Sequence, residues 1–195
     1  MHDHHDNPVD VGQMIAWIAD GETPVGEQKI GTEHEKFLFH RHNLAPVGYV
    51  GEAGIGALLD RLLTELGPGA EPIMEKGNII GVVDADGGAV TLEPGGQLEL
   101  SGAPLDNLHQ TCSETGRHLR HMKAAAGPLD IAMMGLGYHP TARREDISFM
   151  PKGRYRIMSR HMPKVGSLGL DMMLRTCTVQ VNLDFADEAD MRLKF

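Results

Sequence analysis

Polar and apolar residues alternate most cleanly in the stretch Thr176 to Phe185. There Cys177, Val179, Val181, Leu183 and Phe185 interleave with Thr176, Thr178, Gln180, Asn182 and Asp184. A period of two predicts a strand with one face toward a core and one uniformly polar face. Residues 29–39 read as a second strand, with Gly31, Glu33, Glu35, Phe37 and Phe39 on one face and Ile30, Thr32, His34, Lys36 and Leu38 on the other. Neither of its faces is clean, because two carboxylates share a side with two phenylalanines. Three short runs, Asn78 to Val83, Ala89 to Glu93 and Gln97 to Ser101, are separated by Asp84-Ala85-Asp86-Gly87-Gly88 and Pro94-Gly95-Gly96. That spacing predicts an antiparallel meander. Asp130 to Tyr138, rich in methionine and glycine, is a further strand candidate.

Between these runs the period changes to that of a helix. Val11, Met14, Ile15, Ile18 and Ala19 form a stripe that opens on a capping box at Asp10 and Gln13 and stops at Gly21. In 53–66 the stripe is Ile55, Leu58, Leu59, Leu62, Leu63 and Leu66, with Gly67 at its end. A third helix is predicted from Pro104 to the Gly127-Pro128 stop, carried by Leu105, Leu108, Cys112, Leu119 and Met122, which makes Cys112 a small core residue. A short helix follows Met150-Pro151-Lys152-Gly153-Arg154-Tyr155 and ends near Pro163, and Asp187 caps a last one. Together these elements predict an α+β chain, an antiparallel sheet with flanking helices.

The chain has 195 residues, 41% of them hydrophobic and 23% charged, enough to bury a core of its own. A formal net charge of -9 without any basic run argues against a nucleic-acid partner. The absence of an eighteen-residue apolar run argues against a membrane helix. The start, Met1-His2-Asp3-His4-His5-Asp6, lacks the basic and apolar regions of a secretory signal, so a cytoplasmic location is expected. Residues 1–8 are expected to form a disordered His/Asp tail ahead of the folded part, 9–195. The two cysteines, Cys112 and Cys177, are far apart and outside metal-binding spacing.

Candidate chemistry collects on carboxylates. Residues two apart on a strand lie about 6.6 Å from each other on one face, so Glu33 and Glu35 can serve one cation site or a pair of them. Glu93 and Glu99 flank a glycine-containing turn, and Glu99 shares its face with Gln97 and Ser101. Four such oxygen donors suit Mg²⁺ with substrate phosphates completing its shell. Gln180 and Asn182, each able to donate and accept, suit an amino acid or a nucleotide, and Lys152 and Arg154 beside Gly153 suit a phosphate or a carboxylate.

Five ordered blocks carry a resemblance. They are Ile30-Gly31-Thr32-Glu33-His34-Glu35-Lys36-Phe37; Leu92-Glu93-Pro94-Gly95-Gly96-Gln97-Leu98-Glu99-Leu100-Ser101-Gly102-Ala103-Pro104; His109-Gln110-Thr111-Cys112; Met150 to Tyr155; and Gly169 to Phe185. In this order they resemble the plant and proteobacterial type of glutamate-cysteine ligase, from about Val9 to the last residue, with 67–75 outside the match. The resemblance implies a fold similar to the catalytic domain of glutamine synthetase, incomplete in this chain, and the joining of L-glutamate to L-cysteine with ATP and Mg²⁺, the first step of glutathione synthesis. It implies that Glu33, Glu35, Glu93 and Glu99 bind metal, with Glu33 and Glu35 catalytic, and that Gln180 and Asn182 face substrate or nucleotide. Arg154 joins the binding set on its chemistry. Two alternatives stay open: a gamma-glutamyl ligase for another amine or for ergothioneine synthesis, and a noncatalytic fragment that needs a second half.

Overall fold

The computed structural model describes residues 9–195, so the predicted His/Asp tail at 1–8 lies outside the described residues. In chain order the elements are α1 (Val11–Ala19), β1 (Ile30–His40), α2 (Ile55–Leu66), β2 (Glu71–Glu75), β3 (Asn78–Val83), β4 (Ala89–Leu92), β5 (Leu98–Ser101), α3 (Leu108–Ala126), β6 (Ile131–Met134), α4 (Gly153–Val165), α5 (Gly169–Arg175), β7 (Val179–Leu183) and α6 (Glu188–Lys194). All pairings are antiparallel. The sheet runs β2-β3-β4-β5-β1-β6, and β7 also pairs with β1. Along β1, residues 30–34 face β7 and residues 37–40 face β6. The predicted meander is present and gains β2, a strand the sequence did not announce. None of the described helices is long and apolar enough to cross a membrane.

The sheet has two distinct faces. One presents Val82, Val90, Leu92, Leu98, Leu100 and Leu38 to Leu58, Leu59 and Leu62 of α2 and Met122 of α3, and this is the main core. Leucines at i, i+3, i+4 and i+7 make α2 fit that face, and Leu58, Leu59, Leu92 and Leu98 are fully buried. The turn from Glu93 to Gln97 is tight against this core. Gly96 sits at φ +83°, and a Cβ there would stand 2.6 Å from Ile55 Cδ1, so only glycine fits.

Three expectations are corrected. The β7 residues Val179 and Val181 are 81% and 54% exposed, because no described strand or helix covers that side of β7; only Cys177 of the predicted apolar face is buried. Cys112 is exposed, since α3 starts at Leu108, capped by the Asn107 side chain, and turns Glu114, His118 and Met122 inward instead. The strand predicted over 130–138 stops at Met134. The capping box at Asp10 and Gln13 forms as expected, yet α1 buries none of its residues.

Beneath β1 lies a buried basic cluster. Lys36 Nζ donates to His34 Nδ1 at 2.7 Å, which fixes the tautomer, and the rings of His34 and His118 stand edge to face at 5.8 Å. Burial, helped by Lys36, His34 and His121, pulls the His118 pKa down to about 3. The folded state therefore holds His118 neutral while the unfolded chain protonates it below its ordinary 6.5. Its contribution to stability is complete above pH 6.5 and is lost as pH falls toward 3, by about 1.4 kcal/mol per pH unit. Denaturant melts at pH 7, 6, 5 and 4 should show that slope in the native chain and a correspondingly flatter profile in His118→Met.

Candidate active site

The sheet face opposite the main core carries the chemistry. Antiparallel register places Glu35 opposite Glu99, Glu33 opposite both Ser101 and Gln180, and Glu99 opposite Thr91. Glu93, one residue past β4, accepts from the Tyr155 hydroxyl at 3.4 Å, and its backbone N–H donates to Gln97 O across the turn. All four predicted glutamates thus project from one face, as alternation required. Further along β1 the same face closes: Phe37 and Phe39 are buried with Cys177, and His139 packs on both rings at 4.8 and 5.1 Å.

Three of the four carboxylates, Glu33, Glu35 and Glu99, are held by neutral donors. Thr178 donates to Glu35 twice, from Oγ1 at 2.8 Å and from its backbone N at 3.1 Å. Thr91 and Ser101 both donate to Glu99 Oε1 at 3.0 Å, and Asn182 Nδ2 donates to Glu33 Oε1 at 2.9 Å. Among the described residues the one ion pair made by the four is Arg154 with Glu93 at 3.4 Å, the arginine exposed and the glutamate half-buried. Like charges directly opposite each other on a sheet oppose folding. Burial pushes the Glu35 pKa up, with Thr178 opposing and Glu99 and Glu33 adding to the rise. Burial likewise pushes Glu93 up, reinforced by Glu99.

The four do not converge on a single point. Among the described residues no three His, Cys, Asp or Glu side chains are placed to hold one ion together. The expectation of one shared pocket is corrected accordingly: Glu35 and Glu93 line a cleft of about 400 Å³, and Glu33 and Glu99 do not. The pleat sets this separation, because same-face neighbours are about 6.6 Å apart. The donor set still fits Mg²⁺, which binds through one or two carboxylates and fills its shell with water and substrate phosphates. The cleft also has Thr178 and Gln180 on its polar side and Met158, Met172 and Met173 on the other.

The remaining predicted residues fall around this cleft. Gln180 is exposed and lines it, with its amide 3.4 Å from Thr178 Oγ1. Asn182 is spent on Glu33, so it orients a carboxylate. Arg154 reaches Glu93 from the first turn of α4, and Lys152 Nζ donates to Leu92 O at 2.7 Å. Sequence reasoning missed three contributors. Thr178 stands in the same alternation as Gln180 and Asn182, so its place was legible. Tyr155, almost fully buried, donates to Leu92 O at 2.5 Å and receives Arg154 Nη2 at 3.1 Å. Gln97 is buried: its amide nitrogen donates to Met173 O at 3.2 Å and Thr176 O at 2.7 Å, and its oxygen accepts from Gly95 N at 2.8 Å. Those bonds tie α5 and the segment before β7 to the Glu93–Glu99 turn.

Comparison with known proteins places the chain. It is 52% identical over 188 residues to a protein of Brassica juncea, 51% to one of Arabidopsis thaliana and 50% to one of Medicago truncatula, each named glutamate-cysteine ligase, chloroplastic. Each alignment covers 96% of this chain and 35 or 36% of the relative, so the chain spans about a third of the length of the relatives it matches. These names correct the expectation of a cytoplasmic location, because the relatives are plastid proteins. Residues 29–194 match the model of glutamate-cysteine ligase family 2, a stretch that holds every candidate site residue. The chain belongs to that family.

Proposed function

We propose that this chain supplies the carboxylate face of an ATP-dependent ligase that joins the side-chain carboxylate of L-glutamate to the amine of L-cysteine. The observation that carries the reading is the array of Glu33, Glu35, Glu93 and Glu99 on one sheet face, with Glu93 the one of them paired to a cation among the described residues, opening on the cleft through Glu35 and Glu93. Bound there, Mg²⁺ would neutralise the triphosphate and the charge that develops as its terminal phosphoryl group moves. A carboxylate does not react with an amine at neutral pH. Transfer of the γ-phosphoryl group to the glutamate side-chain oxygen gives an acyl phosphate and ADP. The cysteine amine then forms the C–N bond, phosphate leaves, and the nitrogen gives up a proton. In this reading Glu33, Glu35, Glu93 and Glu99 hold the ions, Arg154 holds a substrate carboxylate, Gln180 serves substrate or nucleotide, and Asn182 orients Glu33. The family's name and the names of its relatives support the choice of substrates. Neither cysteine needs to be a nucleophile; burial pushes the Cys177 thiol up to about 11.

Hydroxylamine trapping tests the first step. With ATP, Mg²⁺ and L-glutamate, gamma-glutamyl hydroxamate should form, and L-cysteine should suppress it by competing for the acyl phosphate. Trapping with aspartate in place of glutamate, or none with glutamate, contradicts the reading. A second reading, that the chain acts with a further polypeptide, is favoured by the exposed Val179 and Val181 on β7. Adding the remainder of the Brassica juncea enzyme in trans distinguishes the two: activity only in the mixture supports the second.

A further inference from the structure

The β2–β3 hairpin ends in a two-residue turn, Lys76-Gly77, with φ +49° and +80°, the geometry that suits the twist of two antiparallel strands. Its last β2 residue, Glu75, reaches across to the first residue of α4, where Oε1 accepts from Gly153 N at 2.7 Å. The opening amides of a helix lack partners within it, and the cap position here is Lys152, whose side chain makes no capping bond. Glu75 fills that role from a distant strand, and its charge suits the positive end of the helix. Gly153 makes the approach possible, since a Cβ would meet Glu75 Oε1 at 2.9 Å.

The capped turn is the one that builds the wall of the candidate site. Lys152 Nζ and Tyr155 OH both donate to Leu92 O, at 2.7 and 2.5 Å. The Arg154 guanidinium lies 5.0 Å from the centre of the Tyr155 ring and donates to that hydroxyl and to Glu93. The side chains of Lys152, Arg154 and Tyr155 therefore grip the end of β4, and the turn itself is held at Gly153.

We propose that the β2–β3 hairpin is a latch on the candidate site, in which Glu75 acts as a positioning residue: by capping α4 at Gly153 it fixes Arg154 beside Glu93. This rests on the reading of Arg154 as a substrate- or nucleotide-binding residue, and the test separates the two. Amide exchange and Mg²⁺-ATP titration are measured on the 195-residue chain, native and with Glu75→Ala, which removes the acceptor, with Arg154→Gln and with both changes. The expected result is about tenfold faster exchange at Gly153 N–H in Glu75→Ala, weaker Mg²⁺-ATP binding by a similar factor, and no further weakening when Glu75→Ala is added to Arg154→Gln. Glu75→Asp, which keeps the charge on a shorter arm, should recover part of the loss. Unchanged exchange at Gly153 overturns the cap, and additive losses in the double variant overturn action through Arg154. Should the native chain bind no Mg²⁺-ATP, the nucleotide reading fails by itself and the latch is read at Arg154 Nη2–H, which donates to Tyr155 and Glu93: faster exchange in Glu75→Ala sustains it, and unchanged exchange overturns it.

Discussion

Exchanging both Glu33 and Glu35 for glutamine should leave the ligase containing this chain folded and remove its glutamate- and cysteine-dependent release of phosphate from ATP, by about 10³-fold. Glutamine keeps the shape and the acceptor oxygen, so Asn182 can still donate at position 33 and Thr178 at position 35. What disappears is negative charge at the two positions where, on our reading, Mg²⁺ is held. Stability should move the other way. Glu35 stands opposite Glu99 in the β1–β5 register, and relieving a like-charge pair on a sheet is worth up to about 1 kcal/mol. A thermal melt and a phosphate-release assay on the same preparations check the two signs together. A double variant with near-normal turnover would remove these glutamates from the site.

Gln97→Ala should be the most damaging change made without touching a carboxylate. The side chain is 2% exposed and makes three hydrogen bonds, two to carbonyls of α5 and the segment before β7 and one from Gly95. Truncation leaves those partners without bonds in a buried setting and opens a hole, at a cost of about 3 kcal/mol. The loss should be local as well as global. Gln97 ties Thr176 in place, and Thr178, two residues on, supplies both bonds to Glu35. Hydrogen exchange at Thr178 N–H should therefore rise along with the fall in the denaturation midpoint. Gln97→Glu, which sets a buried carboxylate against the Met173 and Thr176 carbonyls, should be at least as damaging as the alanine variant.

Much of the fold was legible because local rules and tertiary packing agree there. The leucine stripe of α2, the meander from β3 to β5 and the alternation of β1 each follow from periodicity, and that alternation placed Glu33 and Glu35 on one face; the β1–β5 register, with Glu35 opposite Glu99, brought Glu99 to it. Where the sequence misled, packing outside the local window decided the outcome. The apolar side of β7 reads as core because Val179 and Val181 alternate with amides, yet nothing among the described residues covers it. Glu114 and His118 look like surface positions of α3, but the helix turns them under the sheet, where Glu114 Oε1 caps the Ala103 amide at 2.8 Å. The hairpin strand β2, Glu71-Pro72-Ile73-Met74-Glu75, has two glutamates and a proline, a poor strand signal, and it forms through pairing with β3. Its consequence, Glu75 on Gly153, joins residues 78 positions apart and has no sequence signature.

The central claim is that the carboxylate face holds a divalent cation, and Mn²⁺ in place of Mg²⁺ tests it directly. Carboxyl ¹³C signals of the glutamates would be followed by NMR while Mn²⁺ is added with ATP. Paramagnetic broadening should concentrate on Glu33, Glu35, Glu93 and Glu99, and it should be lost in the Glu33→Gln, Glu35→Gln double variant. Broadening that spares these four, or that persists unchanged in the variant, would contradict it.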